Sequence, residues 1–138
     1  MSRKDTFHDI VRRALEKDGW TITHDPLLLR YELGNLYIDL GAEQVLAAER
    51  EGQKIAVEVK SFLQNSAISE FHKALGQFIS YRMLLAEQYS DYDLYLAIPL
   101  DTYTSFFATQ LVQSIVRNQQ LKLLVYQPQQ EVINQWLN

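Results

Sequence analysis

Glu58 and Lys60 stand two apart in the stretch Lys54-Ile-Ala-Val-Glu-Val-Lys60, and a carboxylate beside an ammonium is a pairing that can handle phosphate. Side chains alternate across a strand, so Lys54, Ala56, Glu58 and Lys60 share one face while Ile55, Val57 and Val59 turn into a core on the other. The α-carbons of Glu58 and Lys60 then lie about 6.6 Å apart, two residues at about 3.3 Å each, close enough for a carboxylate-held cation and an ammonium to act on one phosphate. The bland alternative is a solvated strand face whose exposed pair contributes about 0–1 kcal/mol, and three residues by themselves favour it. A further acid, Asp39, falls in the centre of Leu36-Tyr-Ile-Asp-Leu40, an alternating run with Leu36, Ile38 and Leu40 on one face. Asp is depleted in strands because its side chain competes for backbone hydrogen bonds, so its place there needs a reason. Gln77 and Tyr81 are four apart in a helical pattern, one above the other, with Lys73 a turn earlier and Arg82 adjacent, a polar face that can donate. Gln77 reads equally as a solvent-facing residue and Tyr81 as a ring at the core edge.

The elements that would position these residues follow from periodicity. Residues 5 to 18 predict a helix capped by Asp5 or Thr6, with Phe7, Ile10, Val11, Ala14 and Leu15 inward, His8 at the stripe's border and Gly19 at its end. Residues 20 to 24 alternate as a strand and stop at Asp25-Pro26, and residues 27 to 34 are ambiguous. The run 42 to 51 is rich in helix formers, yet Arg50-Glu-Gly-Gln53 predicts the turn of a hairpin, which is preferred. After a loop over 61 to 69, with Ser66 or Ser69 as cap, Phe71, Ala74, Leu75, Phe78, Ile79 and Met83 mark a long helix to about Glu87. Residues 93 to 98 form a nearly continuous apolar strand closed by Pro99. A helix opened by Thr102 or Thr104 is expected to turn Phe107, Leu111, Ile115 and Val116 inward. Residues 121 to 126 are a last strand, and the tail from Pro128 to Asn138 is expected to dock as a turn of helix. The succession gives an α/β fold, a mixed sheet with helices on both faces.

The 138 residues suit one domain, 1–138, able to bury a core without staples. With no cysteine, a disulfide framework and a zinc–thiolate site are excluded. The opening Met-Ser-Arg-Lys-Asp leads into an amphipathic segment and no run of about 18 apolar residues occurs, so a soluble, cytoplasmic protein with no membrane partner is expected. A net charge of −4 argues against a free-standing tight nucleic-acid binder, because phosphate neutralisation needs a basic surface. Any DNA contact is then local, metal-bridged, or shared with a partner or a dimer.

Asp39, Glu58-Val59-Lys60 and Gln77-x-x-x-Tyr81 together resemble the PD-(D/E)xK nuclease superfamily, with its three-layer restriction-endonuclease-like fold. More narrowly, Gly19-Trp20, Asp25-Pro26, Asp39-Leu40-Gly41-Ala42-Glu43, the run Ile55 to Phe62 and Gly76-Gln77-Phe78 resemble the XisH family, excision controlling factors of the fdxN element in heterocyst-forming cyanobacteria. That similarity spans nearly the whole chain. It implies control of the removal of a DNA element, beside a site-specific recombinase and a second small factor, XisI. The superfamily resemblance implies a Mg²⁺ or Mn²⁺ site formed by Asp39, Glu58 and the Val59 carbonyl. Lys60 would orient or help deprotonate the attacking water, and Gln77 and Tyr81 would contact the phosphate or fix Lys60.

Two features depart from the superfamily pattern. Where many relatives aim a first-helix Glu at the metal, this chain has about His8, which could take Mn²⁺, hold a water or mark a changed site. A hairpin turning symmetrically at Gly52 puts residue 46, not Asp39, opposite Glu58, so about seven residues must be absorbed by a bulge around Gly41 to Gln44. Otherwise Glu43 becomes the substitute acid or the site is broken. Two functions result: a divalent-metal-dependent DNA endonuclease, or a catalytically silent accessory that binds DNA or partner proteins. For the accessory, Tyr89, Tyr92, Tyr95, Tyr103 and Phe106 could supply an interface.

Overall fold

The structure, a computed structural model, describes residues 3–30, 45–63 and 65–138. The expected strand Leu36 to Leu40, with Asp39, and the alternative acid Glu43 lie outside the described residues.

Helix α1 (Arg3–Lys17) begins before the expected caps, which places Asp5 and Thr6 inside it. It buries Ile10, Val11, Ala14 and Leu15. Gly19 ends it as expected: its φ is +90°, its N–H donates to the Glu16 carbonyl, and the Trp20 N–H donates to the Leu15 carbonyl. These are the two bonds of a Schellman cap, whose left-handed residue is least strained as glycine. Trp20 and Leu15 then share one core cluster.

Strand β1 (Thr21–His24) pairs antiparallel with β2 (Val45–Arg50), and β2 with β3 (Gln53–Val59), so the hairpin wins over the helix formers of this region. Its two-residue loop, Glu51 at φ 52° and Gly52 at φ 82°, has both residues left-handed, the type I′ geometry that matches strand twist. The turn is centred between these residues and not on Gly52. Glu58 therefore faces Val45 and not residue 46. A slip of one residue would exchange the two faces of the strand, and Val45 and Leu46 do lie in opposite cores. Because Glu51 is left-handed without being Gly or Asn, Glu51→Asn is expected to raise stability by about 0.5–1 kcal/mol. A denaturant midpoint that fell would contradict this account of the turn.

The remaining elements are α2 (Ala67–Gln88), β4 (Tyr92–Pro99), α3 (Leu100–Thr104), a 3₁₀ turn (Phe106–Ala108), α4 (Gln110–Asn118), β5 (Leu123–Gln127) and β6 (Val132–Leu137). Ser66 caps α2, its hydroxyl accepting from the Ser69 N–H at 3.2 Å. The single helix expected from Thr102 or Thr104 is instead broken into three pieces. The hydroxyls of Thr104, Ser105 and Thr109 donate to the carbonyls of Leu100, Asp101 and Phe106, competing with a continuous helix. Restarting at Gln110 turns Val112 inward and leaves Leu111 59% exposed, contrary to the expected stripe.

The tail is likewise a strand and not a turn of helix. Val132–Leu137 pairs antiparallel with β5, and the register slips between Val125 and Tyr126, so Asn134 is an extra residue. That bulge lets Ile133 and Trp136, three apart, face the same core, a spacing that imitates a helix.

Among the described residues six strands run β1-β2-β3-β4-β5-β6 in space, parallel across β3, β4 and β5 and antiparallel elsewhere. Both crossovers of the parallel part step in the same direction across the sheet, so one handedness lays α2 and α4 on one face. Phe71, Ala74 and Phe78 of α2 and Val112 of α4 share a core there with Ala56, Leu94, Leu96 and Val125. α1 covers the other face, packing on Ile55, Val57, Val59 and Tyr126. The result is a mixed α/β arrangement with the sheet between two helical layers.

Candidate functional site

Glu58 and Lys60 are delivered by the C-terminal end of β3, which has a neighbour on each side: Glu58 stands level with Val45 on β2 and Leu96 on β4. Alternation puts both on the α2 face, as expected. That face is not a solvated one: Glu58 is 0% and Lys60 2% exposed. The exposed-pair alternative is thereby removed.

The main chain of Lys60 is held from two directions. Its N–H donates to the Ala97 carbonyl on β4 at 3.0 Å, and its carbonyl accepts from the buried Tyr126 hydroxyl on β5 at 3.0 Å. Its side chain passes to the α2 side, where Nζ donates to Gln77 Oε1 at 2.7 Å and lies 3.5 Å from Glu58 Oε2. A charge-assisted bond of that length fixes the ammonium, and the carboxylate at its flank supplies the counter-charge. Strand alternation brings Glu58 and Lys60 together, and the helix that follows brings Gln77. Tyr81, a turn further on, is buried at 3% exposure in the core beneath α2.

Two residues that sequence reasoning did not single out support this cluster. Tyr126 reads as the last apolar residue of a strand, yet its hydroxyl ties β5 to Lys60. Tyr126→Phe is expected to cost about 1–2 kcal/mol in thermal or denaturant unfolding, the range for leaving a buried carbonyl without its donor. No measurable loss would mean that the Lys60 carbonyl finds another donor. Glu70, 6% exposed in the first turn of α2, accepts from the Phe62 N–H at 3.1 Å and so anchors the loop leaving Lys60. An acid in a first helical turn is commonplace, which is why it attracts no notice in the sequence.

The other expected residues are distributed differently. His8 lies on α1, across the sheet from Lys60, and its Nε2 is 2.6 Å from Asp25 Oδ1. Arg12 donates to Oδ2 of the same carboxylate at 2.6 Å. His8 is thus drawn into a separate cluster with Asp25 and Arg12. Val59 turns its side chain to the α1 core. Of the aromatic residues considered as an interface, Tyr95 is buried at 3% exposure, so it offers no surface. Tyr89, Tyr92, Tyr103 and Phe106 are partly buried against the α2-side core.

Among the described residues no three His, Asp or Glu side chains are gathered as a metal site. The donors at the end of β3 nonetheless fit a hard divalent cation. The Glu58 carboxylate and the adjoining Val59 carbonyl would offer oxygen ligands, and Mg²⁺ is commonly held by one or two carboxylates while the substrate's phosphate oxygens supply the rest. Among the described residues no helix is long and apolar enough to cross a membrane.

Comparison with known proteins places this geometry in a family. A family model described as XisH protein matches residues 1–134. A crystal structure of an fdxN element excision controlling factor protein from Anabaena variabilis is 53% identical, with a TM-score of 0.88, covering 97% of this chain and 99% of the other. A second, of an XisH family protein from Nostoc punctiforme PCC 73102, is 52% identical, also with a TM-score of 0.88, covering 97% of this chain and 100% of the other. No curated protein matches the chain.

Proposed function

Since this chain belongs to the XisH family, we propose that it controls excision of a DNA element and does so as a divalent-metal-dependent endonuclease of the restriction-endonuclease-like fold. A relative 53% identical over almost its whole length carries the name of an fdxN element excision controlling factor, which supports the excision role. The observation that carries the chemistry is the Glu58–Lys60–Gln77 cluster: a carboxylate and an ammonium 3.5 Å apart, with the ammonium fixed by a 2.7 Å bond.

In this reading Glu58 and the Val59 carbonyl would hold Mg²⁺ or Mn²⁺, with Asp39, or Glu43 in its place, as the second acid. The bound ion would polarise a phosphoryl oxygen and lower the pKa of its water. Lys60 aims its ammonium at the phosphate and stabilises the charge that develops there. Gln77 holds Lys60 in that direction, and Tyr81, a turn further along α2, packs into the core beneath the helix. A site-specific recombinase and an XisI-like factor would supply the DNA affinity that a chain of net charge −4 lacks.

One observation favours a second reading, a silent accessory built on the same fold. Both charged side chains are almost fully buried, so a DNA phosphate reaches them only if the surroundings open. The deciding experiment incubates the protein with duplex, single-stranded and branched DNA, with and without Mg²⁺ or Mn²⁺ and with and without XisI. Metal-dependent cutting supports the nuclease reading. No cutting under any of these conditions, with DNA or partner binding intact, leaves the scaffold reading.

A further inference from the structure

A cavity that shares no residue with the Glu58 cluster opens beside α4. It is a cleft of about 1010 Å³ between α2, α3, α4 and the β5–β6 end of the sheet. Its floor is apolar and built from core residues: Phe107, Leu121 and Leu123, each less than 5% exposed. Its rim carries Arg82, Arg117 and Lys122, and among the described residues no Asp or Glu lines it. Three cations with no acidic side chain in the described lining are unexpected on a chain of net charge −4.

The three are not equivalent. Arg82 is fixed, donating to the Gln119 carbonyl at 2.8 Å with its guanidinium 5.4 Å from the Phe78 ring centre. Lys122 is paired to the exposed Asp93 at 3.1 Å, outside the lining. Arg117 is exposed and has no ion-pair partner among the described residues. A preformed, weakly hydrated guanidinium beside apolar surface suits a phosphate that arrives attached to something apolar.

The remaining lining narrows the class. Tyr103 offers a ring for stacking, and Gln113 and Gln120 offer amides that both donate and accept, while the Asn138 amide oxygen is already engaged by the Tyr95 hydroxyl. A fatty anion would use the floor and cations but leave those amides idle. Inorganic phosphate would leave the floor wet. A nucleoside phosphate uses all three: base on the ring and floor, base edges on the amides, phosphates on the rim. We propose that this cleft binds a nucleoside phosphate.

The test is fluorescence anisotropy of methylanthraniloyl-ATP with the full chain. ATP, ADP, AMP, inorganic phosphate and dodecyl sulfate serve as unlabelled competitors. Saturable binding displaced by the adenine nucleotides and not by phosphate is expected. Arg117→Glu should weaken it by about tenfold or more, as removal and reversal of one charge-assisted contact predict. Because Arg117 is exposed, its variant should unfold at the wild-type temperature. Gln113→Glu, also exposed, provides an independent second lesion in the same cleft. At a temperature where it is folded, Glu58→Gln should bind nucleotide with wild-type affinity, which keeps this site separate from the proposed nuclease centre. Absence of saturable binding up to about 1 mM, the weak end of specific affinity, would overturn the proposal. So would displacement by dodecyl sulfate or phosphate in preference to ATP, or unchanged affinity in both cleft variants.

Discussion

Lys60→Met will destabilise the protein by about 3–5 kcal/mol, the loss expected when one partner of a buried ion pair is removed and the other stays behind as a buried charge. The basis is geometric. Lys60 and Glu58 are 2% and 0% exposed, and their charged atoms lie 3.5 Å apart. Methionine matches the apolar stem of lysine out to Cε and lacks only Nζ, so the loss reports chiefly the charge and its bond to Gln77. The double variant Glu58→Gln/Lys60→Met should recover most of the loss, since replacing both members of a buried pair is often neutral or stabilising. Denaturant unfolding of wild type, both singles and the double gives the coupling energy directly. Additive single losses would mean that the two side chains do not support one another, and the cluster would lose its standing as a unit.

Glu58→Gln will lower metal-dependent DNA cleavage by about 10²-fold or more if the chain is a nuclease. Glutamine retains the volume of glutamate, so the loss reports the missing charge on the metal-holding group and not a change in shape. The variant also removes the Glu58 charge 3.5 Å from the Lys60 ammonium. Its unfolding must therefore be followed alongside its activity, and cleavage compared at a temperature where both proteins are folded. Full cleavage by a folded Glu58→Gln protein would remove Glu58 from the site. Loss of cleavage together with retained control of excision would separate the two roles, leaving regulation to the scaffold and the chemistry to another task.

These two experiments act on the same few atoms and answer different questions. The first asks whether the pair is a structural unit; the second asks whether that unit reacts. Burial makes both necessary. A Lys held at 2.7 Å by Gln77 has its ammonium fixed, as the proposed chemistry requires, yet its enclosure also serves to bind β3 to α2. The Tyr126 bond to the Lys60 carbonyl shows the same duality, since it ties β5 to the strand end that carries the cluster.

The alternation of Lys54 to Lys60, the glycine stop of α1, the Ser66 cap and the Gln77/Tyr81 spacing were all legible in the sequence, because each depends on residues within a turn or a strand. The placement of Glu58 and Lys60 on one face, and of Gln77 on the helix that follows, belongs to this group. What the sequence alone could not decide depends on partners far along the chain. Whether the Glu58 face met water or a helix was settled by the crossover that lays α2 over it. Val45, and not residue 46, stands opposite Glu58 because the turn uses Glu51 and Gly52 together, a backbone choice that glutamate does not advertise. The tail became β6 because β5 offered it hydrogen bonds, and a bulge at Asn134 gave its apolar residues a helical spacing. His8 went to Asp25 because α1 packs across the sheet from Lys60. Local periodicity determined which residues could share a face; tertiary packing determined what each face would meet, because burial and pairing are properties of two segments and a sequence pattern describes only one.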